Sequence, residues 1–153
     1  MNRVTVNSAD IPLPEWSKAL SKFAKKILAE TGKDKWDLSV LLCGDKKITE
    51  LNSQYRGKNE ATDVLTFSLN EGGQFPAGGN RFLPGDIVIS LDTLSENSMR
   101  FKISEDEELR RLLIHGILHL DGMDHKSNSK NEPMIQLQEK ILEKLSDERI
   151  LPL

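Results

Sequence analysis

Residues 104–125 read SEDEELRRLLIHGILHLDGMDH, and the way this stretch folds organises the rest of the chain. Ser104, followed three residues later by Glu107, offers a capping box, which starts a helix. From Leu109 to Leu120 the segment is apolar on nearly every side apart from Arg110, Arg111, His115 and His119, as expected of a helix buried between layers. His115 and His119 are four apart and share one helix face, with Cβ atoms roughly 5–6 Å from each other. His125 could not join them on a continuing helix, because ten residues at about 1.5 Å each would carry it some 15 Å away. A sharp turn is needed, and Gly122 stands where it must occur, since glycine takes the left-handed helix-ending conformation without steric cost.

Working outward, Val4 and Val6 alternate as a short strand, and Pro14 starts a helix that Gly32 stops. Trp16, Leu20, Phe23 and Ile27 form its inward stripe. Leu38 to Cys43 reads as a buried strand, with Cys43 a core residue, and Asp45 can cap a helix reaching Tyr55 before Gly57 breaks it. Val64–Phe67 and Ile87–Ile89 read as a strand pair joined by a glycine-rich segment from Glu71 to Gly85, a flap or spacer without a phosphate-cradling signature. Asp92 to about Phe101 suggests a helix, and Pro133 starts a last one carrying Met134, Leu137, Ile141 and Leu145. The order predicts a single α+β domain over residues 1–153, one mixed sheet of about four strands packed with about five helices, the central helix carrying two metal ligands.

The chain has 153 residues, 37% apolar, with a formal net charge of −3, so any nucleic-acid contact must rest on a local basic patch. Cys43 is the only cysteine, which excludes an intrachain disulfide and suits a reducing compartment. The first residues lack the apolar core of a signal peptide, and no apolar run approaches bilayer length; a soluble, cytoplasmic protein without membrane contact is expected.

His115, His119 and His125 are the only histidines, and a buried, unpaired imidazole trio would be costly without a ligand. The expected ligand is one divalent metal ion; three neutral nitrogens suit zinc best, then nickel, cobalt or iron. Three protein ligands leave a fourth position for water, as in catalytic zinc sites. Asp121 and Asp124 are candidates to orient an imidazole from behind, or are simple turn residues. The spacing matches the extended zinc-protease signature, except that Gly116 occupies the place of the glutamate that serves there as general base. That departure weakens a peptidase reading.

His-Gly-x-Leu-His-Leu-x-Gly-x-Asp-His resembles the mark of the YbeY family of bacterial rRNA maturation factors. Leu51 to Lys58 followed by Thr62 to Phe67 resembles that family's second motif, and Gly85 to Ser90 its third. The likeness runs from about Asp37 to Leu142, with departures at Glu60, Thr66, Ser68 and Met123 that touch no histidine of the cluster. The resemblance implies a single-strand-specific, metal-dependent endoribonuclease acting in 16S rRNA 3′-end maturation and ribosome quality control, with single-stranded RNA, the 16S precursor and the small ribosomal subunit as partners. It marks Arg56 and His115 as catalytic and the three histidines as metal ligands. Chemistry agrees for Arg56, whose planar fork of donors matches phosphate oxygens, although local sequence alone reads it as a helix-end cation. Lys58, Arg81, Arg100 and Lys102 either extend an RNA surface or are ordinary surface charges, and Asp63 and Asp86 read as structural. The alternatives are a zinc metallopeptidase or amidase, and a non-catalytic assembly factor braced by zinc.

Overall fold

The computed structural model describes residues 1–69, 76–77 and 81–153. Four strands, β1 (Arg3–Ser8), β2 (Asp37–Cys43), β3 (Val64–Ser68) and β6 (Gly85–Ser90), form one sheet in the order β1-β2-β6-β3. β1, β2 and β6 run parallel, while β3 returns antiparallel to β6 in the register Leu65 to Val88. The short strands β4 (Pro76–Ala77) and β5 (Arg81–Phe82) pair apart from this sheet. Five helices complete the chain: α1 (Ser17–Glu30), α2 (Asp45–Arg56), α3 (Leu91–Phe101), α4 (Glu105–Leu120) and α5 (Pro133–Lys144). This is the expected mixed-sheet α+β fold. No helix among the described residues is long and apolar enough to cross a membrane.

Strand side chains alternate between two faces, and both are used. Val40, Leu42, Ile87 and Ile89 point into the main core, where they meet Leu20, Phe23 and Ile27 of α1 and Leu113, Ile114 and Ile117 of α4. Cys43 and Val88 pack on the other face with Ile48 of α2, flanked by Leu51, Leu65 and Phe67. Burial pushes the Cys43 thiol up to about 11, which makes it the inert core residue that its position suggests. The near-continuous burial of α4 follows from its place between the sheet, α1, α3 and α5.

Some local readings change. Pro14 does not open the helix itself; its carbonyl accepts from Ser17 N at 3.1 Å, one turn ahead of α1. Asp45 does not cap its own helix either. Its Oδ1 accepts from the Ser90 and Thr93 hydroxyls at 2.6 and 2.5 Å, while Asp45 N donates to Asp92 Oδ2 at 2.9 Å. Asp92 thus caps the start of α2, Ser90 caps α3, and Asp45 ties the two helix starts together across the ends of β2 and β6. Most of the 71–85 segment lies outside the described residues, so its reading as a flap does too; its described end carries Arg81, whose guanidinium ion-pairs with Asp37 at 2.6 Å. That pairing commits Arg81 to tying β5 to β2 instead of an RNA surface.

Candidate metal centre

The site is built at the C-terminal end of α4. Ser104 Oγ accepts from Glu107 N at 3.0 Å and sets the start of the helix. Where it ends, Gly122 N donates to the His119 carbonyl at 2.9 Å and Met123 N to the Leu118 carbonyl at 3.0 Å, a Schellman arrangement that needs Gly122 at its φ of +96°. The chain reverses, Met123 packs against the core, and His125 comes back over the last turn.

The outcome is a triangle of imidazoles with ring centroids 4.8 Å apart for His115 and His119, 4.9 Å for His115 and His125, and 5.3 Å for His119 and His125. One nitrogen from each ring lies within 4.8 Å of the others, close enough for one ion to bind all three. Among the described residues no fourth histidine, cysteine or carboxylate joins this group.

Protonation favours the same use. Burial lowers the pKa of His115, opposed by the hydrogen bond His115 donates to Gln138, and burial together with the other two imidazoles lowers that of His119. Neutral rings with free lone pairs are what a cation needs. Gln138 Oε1 lies 2.6 Å from His115 Nδ1, and the Ser127 carbonyl lies 2.8 Å from His125 Nδ1. Both partners are acceptors, so each Nδ1 carries the proton and each Nε2 is left with its lone pair toward the centre. This donor set fits a divalent metal of the zinc type.

Gln138 is a member the sequence reading missed. It is 5% exposed on α5, and its Nε2 donates to Glu139 Oε2 at 3.0 Å. Glu139 in turn takes two hydrogen bonds from Arg111, at 2.9 and 3.0 Å, and Arg111 also meets Glu107 at 3.1 Å. A chain of partners therefore runs from His115 across α5 and back to the first turns of α4. Of the two readings for the neighbouring aspartates, their bonds match that of turn residues: Asp121 pairs with Lys33 at 2.8 Å, and Asp124 accepts from His125 N at 2.8 Å.

Arg56 closes the last turn of α2, and the structure brings it to the histidines. A cavity of about 440 Å³ is lined by Arg56, Thr66, His115, His119 and Asp124, among others. Arg56 Nη2 donates to the Thr66 carbonyl at 2.5 Å, and its guanidinium lies 5.4 Å from the centre of the Phe67 ring. Among the described residues the remaining donors of the fork take no hydrogen bond and line the cavity. Asp63 holds structure nearby, with Oδ1 accepting from Val64 N at 2.8 Å and Oδ2 from Asn97 of α3 at 3.3 Å.

Gly116 shows why the peptidase glutamate has no place here. A Cβ on Gly116 would stand 2.9 Å from Ile87 Cδ1 and 3.1 Å from its Cγ1 and Cγ2, so this position presses on β6 and not into the site.

Fold and site together define an α+β protein with a three-histidine group, fit for one metal ion, at the end of its central helix. The family model described as Endoribonuclease YbeY matches residues 3–146, and the chain belongs to that family. Among its relatives is the Endoribonuclease YbeY of Treponema pallidum strain Nichols, 45% identical over 143 residues, covering 93% of this chain and 89% of that one. That of a Sulfurihydrogenibium species is 36% identical over 148 residues, covering 96% and 95%. In structure, the chain is similar to the Thermotoga maritima protein TM1509, known in solution, with a TM-score of 0.64, 30% identity, and coverage of 95% of this chain and 90% of that one.

Proposed function

We propose that this chain is a metal-dependent endoribonuclease that cuts single-stranded RNA, with zinc held by His115, His119 and His125 and with Arg56 gripping the scissile phosphate. The observation that carries the reading is the meeting of three metal-competent imidazole nitrogens and a half-free guanidinium on one cavity, in a chain of this family.

An ion bound there supplies Lewis-acid polarisation of an attacking water and of a phosphoryl oxygen. The protein's part is to position. Gln138 and the Ser127 carbonyl hold the His115 and His125 rings in one tautomer. Arg56 offers parallel donors to two phosphate oxygens and stabilises the charge that builds on them during attack, and Phe67 and the Thr66 carbonyl keep its fork in place. The proposed substrate is the 3′ end of the 16S rRNA precursor on the small ribosomal subunit, in a cytoplasmic role in rRNA maturation and quality control. The residues form one domain throughout.

A peptidase is disfavoured by Gly116, whose position faces Ile87. Zinc as a mere brace is disfavoured by a ligand group of three, which leaves the ion open on one side. In the test, chelator abolishes cleavage of a single-stranded RNA and added zinc restores it, while Arg56→Ala lowers turnover by about 100-fold with zinc content unchanged. Cleavage that persists in chelator, or an Arg56→Ala enzyme of full activity, would contradict the proposal.

A further inference from the structure

A second and larger cavity, about 920 Å³, also borders His115. It shares His115 and Val64 with the cavity that holds Arg56. A strand whose phosphate sits at the histidines therefore has room beside it for an attached base. Clefts of 300–1,000 Å³ are the usual size for a bound small molecule.

The chemistry of the wall decides what fits. Glu108, on the first turns of α4, is 4% exposed, and burial raises its pKa. Among the described residues its nearest charged partner is Arg111 Nη1, at the long distance of 3.6 Å to one oxygen, so the carboxyl keeps accepting capacity beyond that pairing. A buried carboxyl left short of donors on a cavity wall calls for a ligand that brings them. Asp63 and Glu139 also line the cavity, and Arg111 is already committed to Glu107 and Glu139. Only Lys130 adds another cation to the lining. Three carboxylates against two cations repel a phosphate but welcome N–H groups. Ile103, Leu112 and Ile135 give the wall an apolar side, with the 58% exposed Phe101 beside them, and Asn128 and Gln138 add neutral amides.

We propose that this cavity receives one nucleobase of the RNA, next to the phosphate under attack, and that Glu108 reads its hydrogen-bonding edge. The inference rests on the ribonuclease reading above. A carboxylate accepts well from an amino group: guanine offers two adjacent N–H donors, cytosine and adenine one amino group each. Uracil has no amino group, and its single N3–H donor is flanked on both sides by carbonyl oxygens that a carboxylate repels. The pocket therefore selects guanine, cytosine or adenine over uracil, and the apolar wall and Phe101 supply the stacking surface. Glu108 acts as a specificity residue for the position beside the cut.

The experiment has two arms on the zinc-loaded protein. In the first, cleavage of a randomised single-stranded RNA pool is sequenced for the wild type, Glu108→Gln and Arg56→Ala. The expected result is that the wild type disfavours uracil at one position flanking the cut by about fivefold or more, that Glu108→Gln shrinks this to under twofold, and that Arg56→Ala slows all sequences alike. In the second, GMP, CMP, AMP and UMP are titrated while the methyl resonances of Ile103, Leu112 and Ile135 are followed. The first three should shift these methyls at lower concentration than UMP, and Ile103→Trp, which fills the cavity, should abolish the shifts. Ile103→Trp also stands in for Glu108→Gln in the first arm if the latter does not fold. A wild type that cuts no RNA refutes the ribonuclease reading, and the mononucleotide arm still decides the pocket. A cleavage profile identical in wild type and Glu108→Gln, or methyls unmoved by every mononucleotide, overturns the proposal.

Discussion

At the scale of single residues, the imidazoles are held by a partner that local spacing does not reveal. The grouping of the three histidines was legible because helix periodicity fixes which histidines share a face and because a glycine must turn the chain before His125. Gln138 lies in another helix, 23 positions from His115, and Glu108 shows its shortage of partners only once the cavity around it exists. Removing the acceptor should loosen the ring. Gln138→Leu is expected to weaken zinc binding by about 10–100-fold, read by competition with a chelator, while circular dichroism stays that of the folded protein. An unchanged affinity would remove Gln138 from the metal centre. Gly116 makes the opposite kind of contact, with no room to spare. Alanine there gains about 1 kcal/mol of helix propensity but forces a methyl against Ile87, at a cost of about 1–3 kcal/mol. Gly116→Ala should therefore leave stability in urea unchanged or lower it by up to about 2 kcal/mol; a stabilised variant would show that β6 gives way easily.

At the scale of elements, the signals at both ends of α4 show in its sequence, but a further tie does not. The capping serine and the terminating glycine were readable from local pattern. The other tie is Asp106, 2% exposed, whose Oδ1 accepts from Ile150 N and Leu151 N at 2.8 Å each and whose Oδ2 takes the Arg110 guanidinium at 2.9 Å. Nothing in the first turn of a helix announces that the far end of the chain will dock on it. Burial opposes ionisation of Asp106, but the two backbone N–H groups and Arg110 outweigh it and hold its pKa below 3.8. A carboxyl whose pKa falls on folding adds stability above its unfolded value and loses it as the pH drops through the folded one. Asp106→Asn should thus cost about 2–4 kcal/mol at pH 7, with the gap to wild type closing below about pH 3.8. A gap that stays constant down to acid pH would contradict this assignment. Asp45 illustrates the same limit, since its place at a helix start suggested a local cap while the fold spends it on Ser90 and Thr93.

At the scale of the molecule, a four-stranded mixed sheet carries the buried helix, and α2 on the other face brings Arg56 to the strand edge beside the histidines. Strand and helix order followed from periodicity, and with it the α+β class. The strand order β1-β2-β6-β3 did not, because pairing β2 with β6 joins segments more than forty residues apart that no local pattern links. A chain of net charge −3 has little general attraction for RNA, so the proposed activity rests on the cavity that Arg56 shares with His115 and His119. The most direct measurement is to titrate zinc into metal-free protein and follow, on the same samples, bound zinc and cleavage of a defined 16S 3′ precursor. Cleavage should rise in proportion to occupancy, reach its plateau at one zinc per chain, and vanish together with binding in His119→Ala; full cleavage by metal-free protein, or zinc bound at one per chain without any cleavage, would contradict it.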